Sequence, residues 1–183
     1  MTANDDLVDI LAGCQAGDAE CFSELVDLYG GRCYGYFYRL TGNNELSDEL
    51  LSELFVKLVE KIGSYKGGSF ESWLFKIASN IFNDYLRGKQ RRKKLLDTRR
   101  WELEGEVAEE KRSQSDKADR LQMNLAKLDD GTRELITLRF YSQMSLKEIA
   151  RFRSEPIGTT LSRLHRGLKR LREMMSGREE RSD

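Results

Sequence analysis

Apolar residues recur along this chain in alternating steps of three and four, the spacing of helices buried along one stripe. The longest stripe lies within Ser69–Lys94: Phe70, Trp73, Leu74, Ile77, Ala78, Ile81, Phe82, Tyr85 and Leu86 share one face, and Ser69 stands where an N-cap belongs. Lys76, Ser79, Asn80, Asn83 and Arg87 occupy the other face, and the helix runs into Lys89, Arg91, Arg92, Lys93 and Lys94. Alone, that pattern fits a core helix with a solvated basic end as well as a helix that holds a nucleic-acid strand.

Upstream, Asp5–Ala16 reads as a short helix with Leu7, Ile10, Leu11 and Cys14 inward. Gly17-Asp18 breaks it, and Asp18 caps a second helix that buries Phe22, Leu25, Val26, Tyr29, Cys33, Tyr36, Phe37 and Leu40. Gly30, Gly31 and Gly35 fall inside that helix, so a kink or a close crossing is expected there. After the turn 41–44, Ser47–Ile62 forms a third helix with Leu50, Leu51, Leu54, Phe55, Leu58, Val59 and Ile62 apolar. This set is wide enough for part of it to face a partner. Asp48, Glu49 and Glu53 suit the helix N-terminus electrostatically, and a Gly-rich loop, 63–68, leads into the long helix.

From Leu95 to Ser115 the periodicity fails, leaving Trp101 and Leu103 among Glu102, Glu104, Glu106, Glu109 and Glu110. This is an acidic linker, with the capacity to shield the neighbouring basic segment until a partner displaces it. The pattern resumes with Ala118, Leu121, Leu125 and Leu128, turns at 129–131, and continues through Leu135, Ile136, Leu138 and Phe140. Ser145 and Glu148 make a capping box over a short helix with Ile149, Ala150 and Phe152. Past Arg153-Ser154-Glu155-Pro156 comes a last helix, expected to bury Ile157, Leu161, Leu164, Leu168, Leu171 and Met175. Its free face carries Thr159, Thr160, Ser162, Arg163, Arg166, Lys169 and Arg170, the arrangement of a helix-turn-helix whose second helix reads the major groove. The fold class is all-α: an N-terminal helical bundle and a C-terminal helix-turn-helix joined by the acidic linker. The expected divisions are 1–95, linker 96–117, 118–177 and a charged tail 178–183.

Charge sharpens the picture. The 183 residues sum to zero formal charge, yet residues 1–60 hold twelve acids against three bases, and 87–100 hold eight bases against Asp97 alone. Residues 157–172 add five bases and no acid. Segregation of this kind points to two partners of opposite charge. Cys14, Cys21 and Cys33 form no C-x-x-C pair and the one histidine, His165, is distant, so reduced thiols and no metal site are expected. The N-terminus lacks the pattern of a signal peptide and no stretch reaches membrane-spanning length, which implies a cytoplasmic protein.

Taken in order, SDELLSELFVKLVEKI, FESWLFKIASNIFNDYLRGKQRR and MSLKEIARFRSEPIGTTLSRLHRGLKRLR resemble the extracytoplasmic-function class of bacterial sigma factors, in the sigma-70 family. The resemblance implies a subunit that binds core RNA polymerase and directs it to promoter DNA, with no catalytic residues and no cofactor of its own. An anti-sigma factor is a candidate third partner, since many relatives are held inactive by one. It implies polymerase contacts from Asp48, Glu49, Leu51, Ser52, Glu53, Phe55 and Leu58, on a helix that docks against a coiled-coil of the largest polymerase subunits. For the −10 element it implies Tyr65, Lys66, Ser69, Phe70, Trp73, Lys76, Asn80, Asn83, Arg87, Arg91 and Arg92, where an unstacked base is captured. For the −35 element it implies Thr159, Thr160, Ser162, Arg163, Arg166, Lys169 and Arg170.

This chain departs from the family pattern at Ser52, often Gln, and Ser79, where Arg precedes the family's Asn. It departs again at Arg153-Ser154-Glu155, usually Leu-Gly-Ile, and at Leu161, commonly Lys. A stand-alone helix-turn-helix regulator is the alternative, although no coiled-coil seam offers the dimer such proteins use on paired half-sites. An enzyme finds little support, for there is no Gly-rich phosphate loop and no metal-ligand cluster.

Overall fold

One helix gathers most of the others around it. In the computed structural model, which describes residues 3–99 and 117–176, α2 (Ala19–Thr41) packs against α1 (Ala3–Ala16), α3 (Asn44–Lys61), α4 (Phe70–Arg99), α5 (Lys117–Ala126) and α6 (Asp130–Tyr141). A short helix, α7 (Leu146–Phe152), packs on the longer α8 (Ile157–Met175), and α8 also lies on α5 and α6. Among the described residues there is no strand, so the all-α expectation holds. Asp18 starts α2 by accepting from the Glu20 N–H at 2.8 Å. Asn43, rather than a residue nearer Ser47, starts α3 by accepting from the Leu46 N–H at 2.9 Å. Ser47 is therefore inside the helix, buried, with its hydroxyl on the Asn43 carbonyl at 2.6 Å.

The core joins Tyr36, Phe37 and Leu40 of α2, Leu54 and Leu58 of α3, and Leu74, Phe75 and Phe82 of α4. It continues without a break into Leu135 and Leu138 of α6, Met144 in the turn after α6, and Ile149 of α7. Phe75 and Met144 are wholly buried although no stripe included them. Helical α2 runs unbroken past its glycines, and the close crossing falls at Gly35. A β-carbon there would lie 2.7 Å from Cε1 of Tyr141, so α2 and α6 approach closely at this glycine.

Several residues expected inward turn outward. Val26 is exposed on α2, Val59 on α3, and Phe140 on α6, at 65 %. Each lies at the margin of its stripe, where a helix of period 3.6 gives a wide choice of rotation and the facing element makes it. The largest such shift is on α8, whose buried residues are Thr160, Leu164 and Gly167 rather than Ile157 and Leu161. A β-carbon on Gly167 would stand 2.5 Å from Thr132 Cγ2, so α6 and α8 approach closely there and fix the rotation. Residues 100–116 lie outside the described residues, and with them the acidic shield; α4 itself continues through Arg99.

Candidate nucleic-acid and partner interfaces

The outer face of α3 carries Asp48, Glu49, Ser52 and Glu53, all exposed. Leu51 and Phe55 are half-buried and pack against the core, and Leu58 is 1 % exposed, so it braces the helix from within and offers nothing to a partner. Sequence reasoning passed over Val56, and it assigned no partner contact to Val59. At 58 % and 57 % exposure they continue the acidic strip with bare apolar surface. The available signal was their spacing from Ser52 along one helix face.

The loop before α4 is built by its aromatic residues. Tyr65 donates its hydroxyl to the Gly68 carbonyl at 2.7 Å, and its ring packs on Phe70 and Trp73 at centroid distances of 5.5 and 5.4 Å. Gln15 of α1 donates to the Ile62 and Tyr65 carbonyls, tying the loop to the bundle. Ser69 caps α4 as expected, accepting from the Ser72 N–H at 3.1 Å. Phe70 is 3 % exposed and Trp73 half-buried, so both support this corner, while Lys66, Ser69, Lys76, Asn80, Arg87, Arg91 and Arg92 are exposed. Arg87 pairs with Asp84 at 2.8 Å, a surface contact that a phosphate could replace at little cost.

The polar face of α4 divides in two. Lys76, Asn80 and Arg87 face solvent, but Ser79 is fully buried and Asn83 half-buried against the C-terminal helices. Glu134 of α6, 5 % exposed, receives both: Ser79 donates its hydroxyl to Oε1, and the Asn83 amide donates to the same oxygen at 3.1 Å. The other oxygen, Oε2, accepts from the Arg153 guanidinium at 2.8 Å. A buried carboxylate needs such complete satisfaction, because an unpaired charge in the interior costs several kcal/mol. Next to it, burial first and then the Glu134 charge push the Tyr36 hydroxyl well above the ordinary tyrosine range.

From Arg153 the network enters the helix-turn-helix. Arg153 Nε donates to Glu155 Oε1 at 3.2 Å, Thr160 donates its hydroxyl to that oxygen at 3.0 Å, and Arg163 reaches Oε2 at 3.1 Å. Thr160 is therefore buried, not on the free face of α8, and Arg163 is held against the turn. Thr159, Ser162, Arg166, Lys169 and Arg170 are exposed, as are Leu161 and His165. Ser154 adopts φ 53°, the left-handed conformation a glycine would take more cheaply. The Ser145–Glu148 capping box is formed in both directions, and Ser72 of α4 donates to Glu148 Oε1 at 3.2 Å. The Ser145 hydrogen bonds hold the Glu148 carboxyl below the usual range, with burial working against them. Glu134, Arg153 and Glu155 had no assigned role in the sequence. The one hint was the charged turn in place of an apolar one.

An acidic and apolar strip on one helix, a polar and cationic face on a second, and a helix-turn-helix with a basic outer surface have the charge pattern of a two-part nucleic-acid-binding protein. Residues 25–92 match Sigma-70 region 2 and residues 124–173 match Sigma-70, region 4. The chain is 30 % identical over 167 residues to the ECF RNA polymerase sigma factor SigX of Bacillus subtilis, covering 85 % of this chain and 84 % of that protein. It is 28 % identical over 171 residues to SigW of the same organism, covering 87 % and 91 %. Its fold is that of the sigma factor RpoE of Bartonella quintana, solved in complex with the anti-sigma factor NepR. The TM-score is 0.66 at 24 % identity, over 85 % of this chain and 96 % of that one. The chain belongs to the ECF RNA polymerase sigma factors of the sigma-70 family. Among the described residues, no helix is long and apolar enough to cross a membrane.

Proposed function

We propose that residues 1–95 bind core RNA polymerase and open the −10 element, and that 118–177 bind the −35 element as duplex. On α3, Asp48, Glu49, Ser52 and Glu53 make the polar part of the polymerase contact and Val56 and Val59 the apolar part, flanked by Leu51 and Phe55. On α4, Lys76, Asn80, Arg87, Arg91 and Arg92, with Lys66 and Ser69 before them, track the non-template strand; Tyr65, Phe70 and Trp73 hold the loop in shape. Asn83 joins them once Glu134 releases it. On α8, Thr159, Ser162, Arg166, Lys169 and Arg170 face the major groove, while Glu155 and Thr160 steady Arg163 at its edge. The chain has no chemistry of its own and works in the cytoplasm, where an anti-sigma factor would compete for these same surfaces.

The observation that carries this reading is the separation of the three faces on three helices of one chain, each with the charge its partner requires. The test is capture of core RNA polymerase by the purified chain, wild type against Val56→Glu/Val59→Glu. These side chains are exposed, so the double variant should fold normally, yet binding should fall at least about tenfold through loss of apolar contact and the cost of desolvating two charges. Capture by neither protein would point to a stand-alone regulator, and equal capture by both would move the contact off this strip.

A further inference from the structure

Ile157 and Leu161 stand one turn apart on α8 at 46 % and 52 % exposure, on the side left free by α6. By helical spacing they form one edge of the exposed face with His165, and Ser162, Arg166 and Lys169 form its middle. Gly158 lies beside them, and a side chain there would meet nothing within 4 Å, so this edge is open to close approach. Two aliphatic side chains on an otherwise cationic helix face contribute nothing to phosphate attraction, which Arg166, Lys169 and Arg170 supply. The major groove presents one apolar group to such a surface, the C5-methyl of thymine.

We infer that Leu161, with Ile157 beside it, reads thymine methyl groups in the −35 duplex and so sets this chain's promoter preference. The inference rests on α8 being the −35 helix. Lysine at position 161 would extend to a phosphate and add affinity without sequence information, whereas leucine trades that affinity for discrimination between bases.

The experiment starts from duplexes selected out of a random pool by the chain assembled with core RNA polymerase. Each thymine of the −35 half is then replaced by deoxyuridine, which removes the methyl and keeps every hydrogen-bonding group. Wild type should lose about fourfold in affinity at one or two thymines, the worth of a buried methyl group. Leu161→Ala should lose most of this preference for thymine over uracil, and Leu161→Lys should bind both duplexes more tightly at low salt with a steeper salt dependence. Indifference of the wild type at every thymine, a selected site with none, or a Leu161→Ala protein as sensitive as wild type would overturn the inference while leaving the −35 reading in place. Failure to select any −35 sequence, with polymerase still bound, would overturn both.

Discussion

Ser154 shows what one residue can say in advance. The tight turn of a helix-turn-helix needs a left-handed backbone, glycine gives it freely, and the serine found here does take φ 53°. Its β-carbon pays roughly 1–2 kcal/mol for that conformation. Ser154→Gly should therefore raise stability by about 1 kcal/mol, part of the gain being lost to the greater freedom of glycine in the unfolded chain. Denaturant melts of the two proteins decide it, and an unchanged or lower midpoint would mean that the turn is not strained. Its neighbours were illegible for a physical reason. Arg153 and Glu155 look like solvated charges in the sequence, and only the fold brings Glu134 to 2.8 Å from the first and Arg163 to 3.1 Å from the second.

At the scale of the element, existence and order were legible and rotation was not. Caps at Asp18, Ser69 and Ser145 were readable because each acts within a few residues of itself. On α8, a stripe through Ile157, Leu161 and Leu164 and one through Thr160, Leu164 and Gly167 both obey helical spacing, and hydrophobicity favours the first. The choice falls to Gly167, which lets α8 approach Thr132 and Ile136 of α6 more closely than any side chain would. Gly167→Ala is thus a test of that rotation. Alanine favours an isolated helix by about 1 kcal/mol, yet its methyl group would stand 2.5 Å from Thr132 Cγ2 and 3.1 Å from Ile136 Cδ1. Overpacking of this kind costs about 1–3 kcal/mol, so the variant should be no more stable than wild type. A clear gain in stability would argue for the other rotation, with Gly167 on the surface.

The whole molecule adds what no stretch of sequence could carry, the contact between its two parts. Asn83 spends its amide on the Ser79 and Glu134 oxygens, Arg32 of α2 reaches the Tyr141 carbonyl at 2.7 Å, and Arg133 of α6 reaches the Leu40 carbonyl at 2.8 Å. These bonds link residues up to 109 positions apart. Three partners are backbone carbonyls, which leave no mark in a residue pattern. At Gly35 a β-carbon would stand 2.7 Å from Cε1 of Tyr141. Gly35→Leu should leave α2 intact or firmer, since leucine is the better helix former, while its side chain meets the Tyr141 ring and drives the C-terminal helices away. Small-angle scattering should then report a larger radius of gyration with unchanged helical circular dichroism. Gly35→Leu/Tyr141→Ala, which removes the collision, should recover most of the original dimensions. Expansion without that recovery would mean that leucine disturbs the N-terminal bundle itself. No expansion in the single variant would mean that α2 and α6 are not held together at this point in solution, and that Asn83 is already free to meet a promoter.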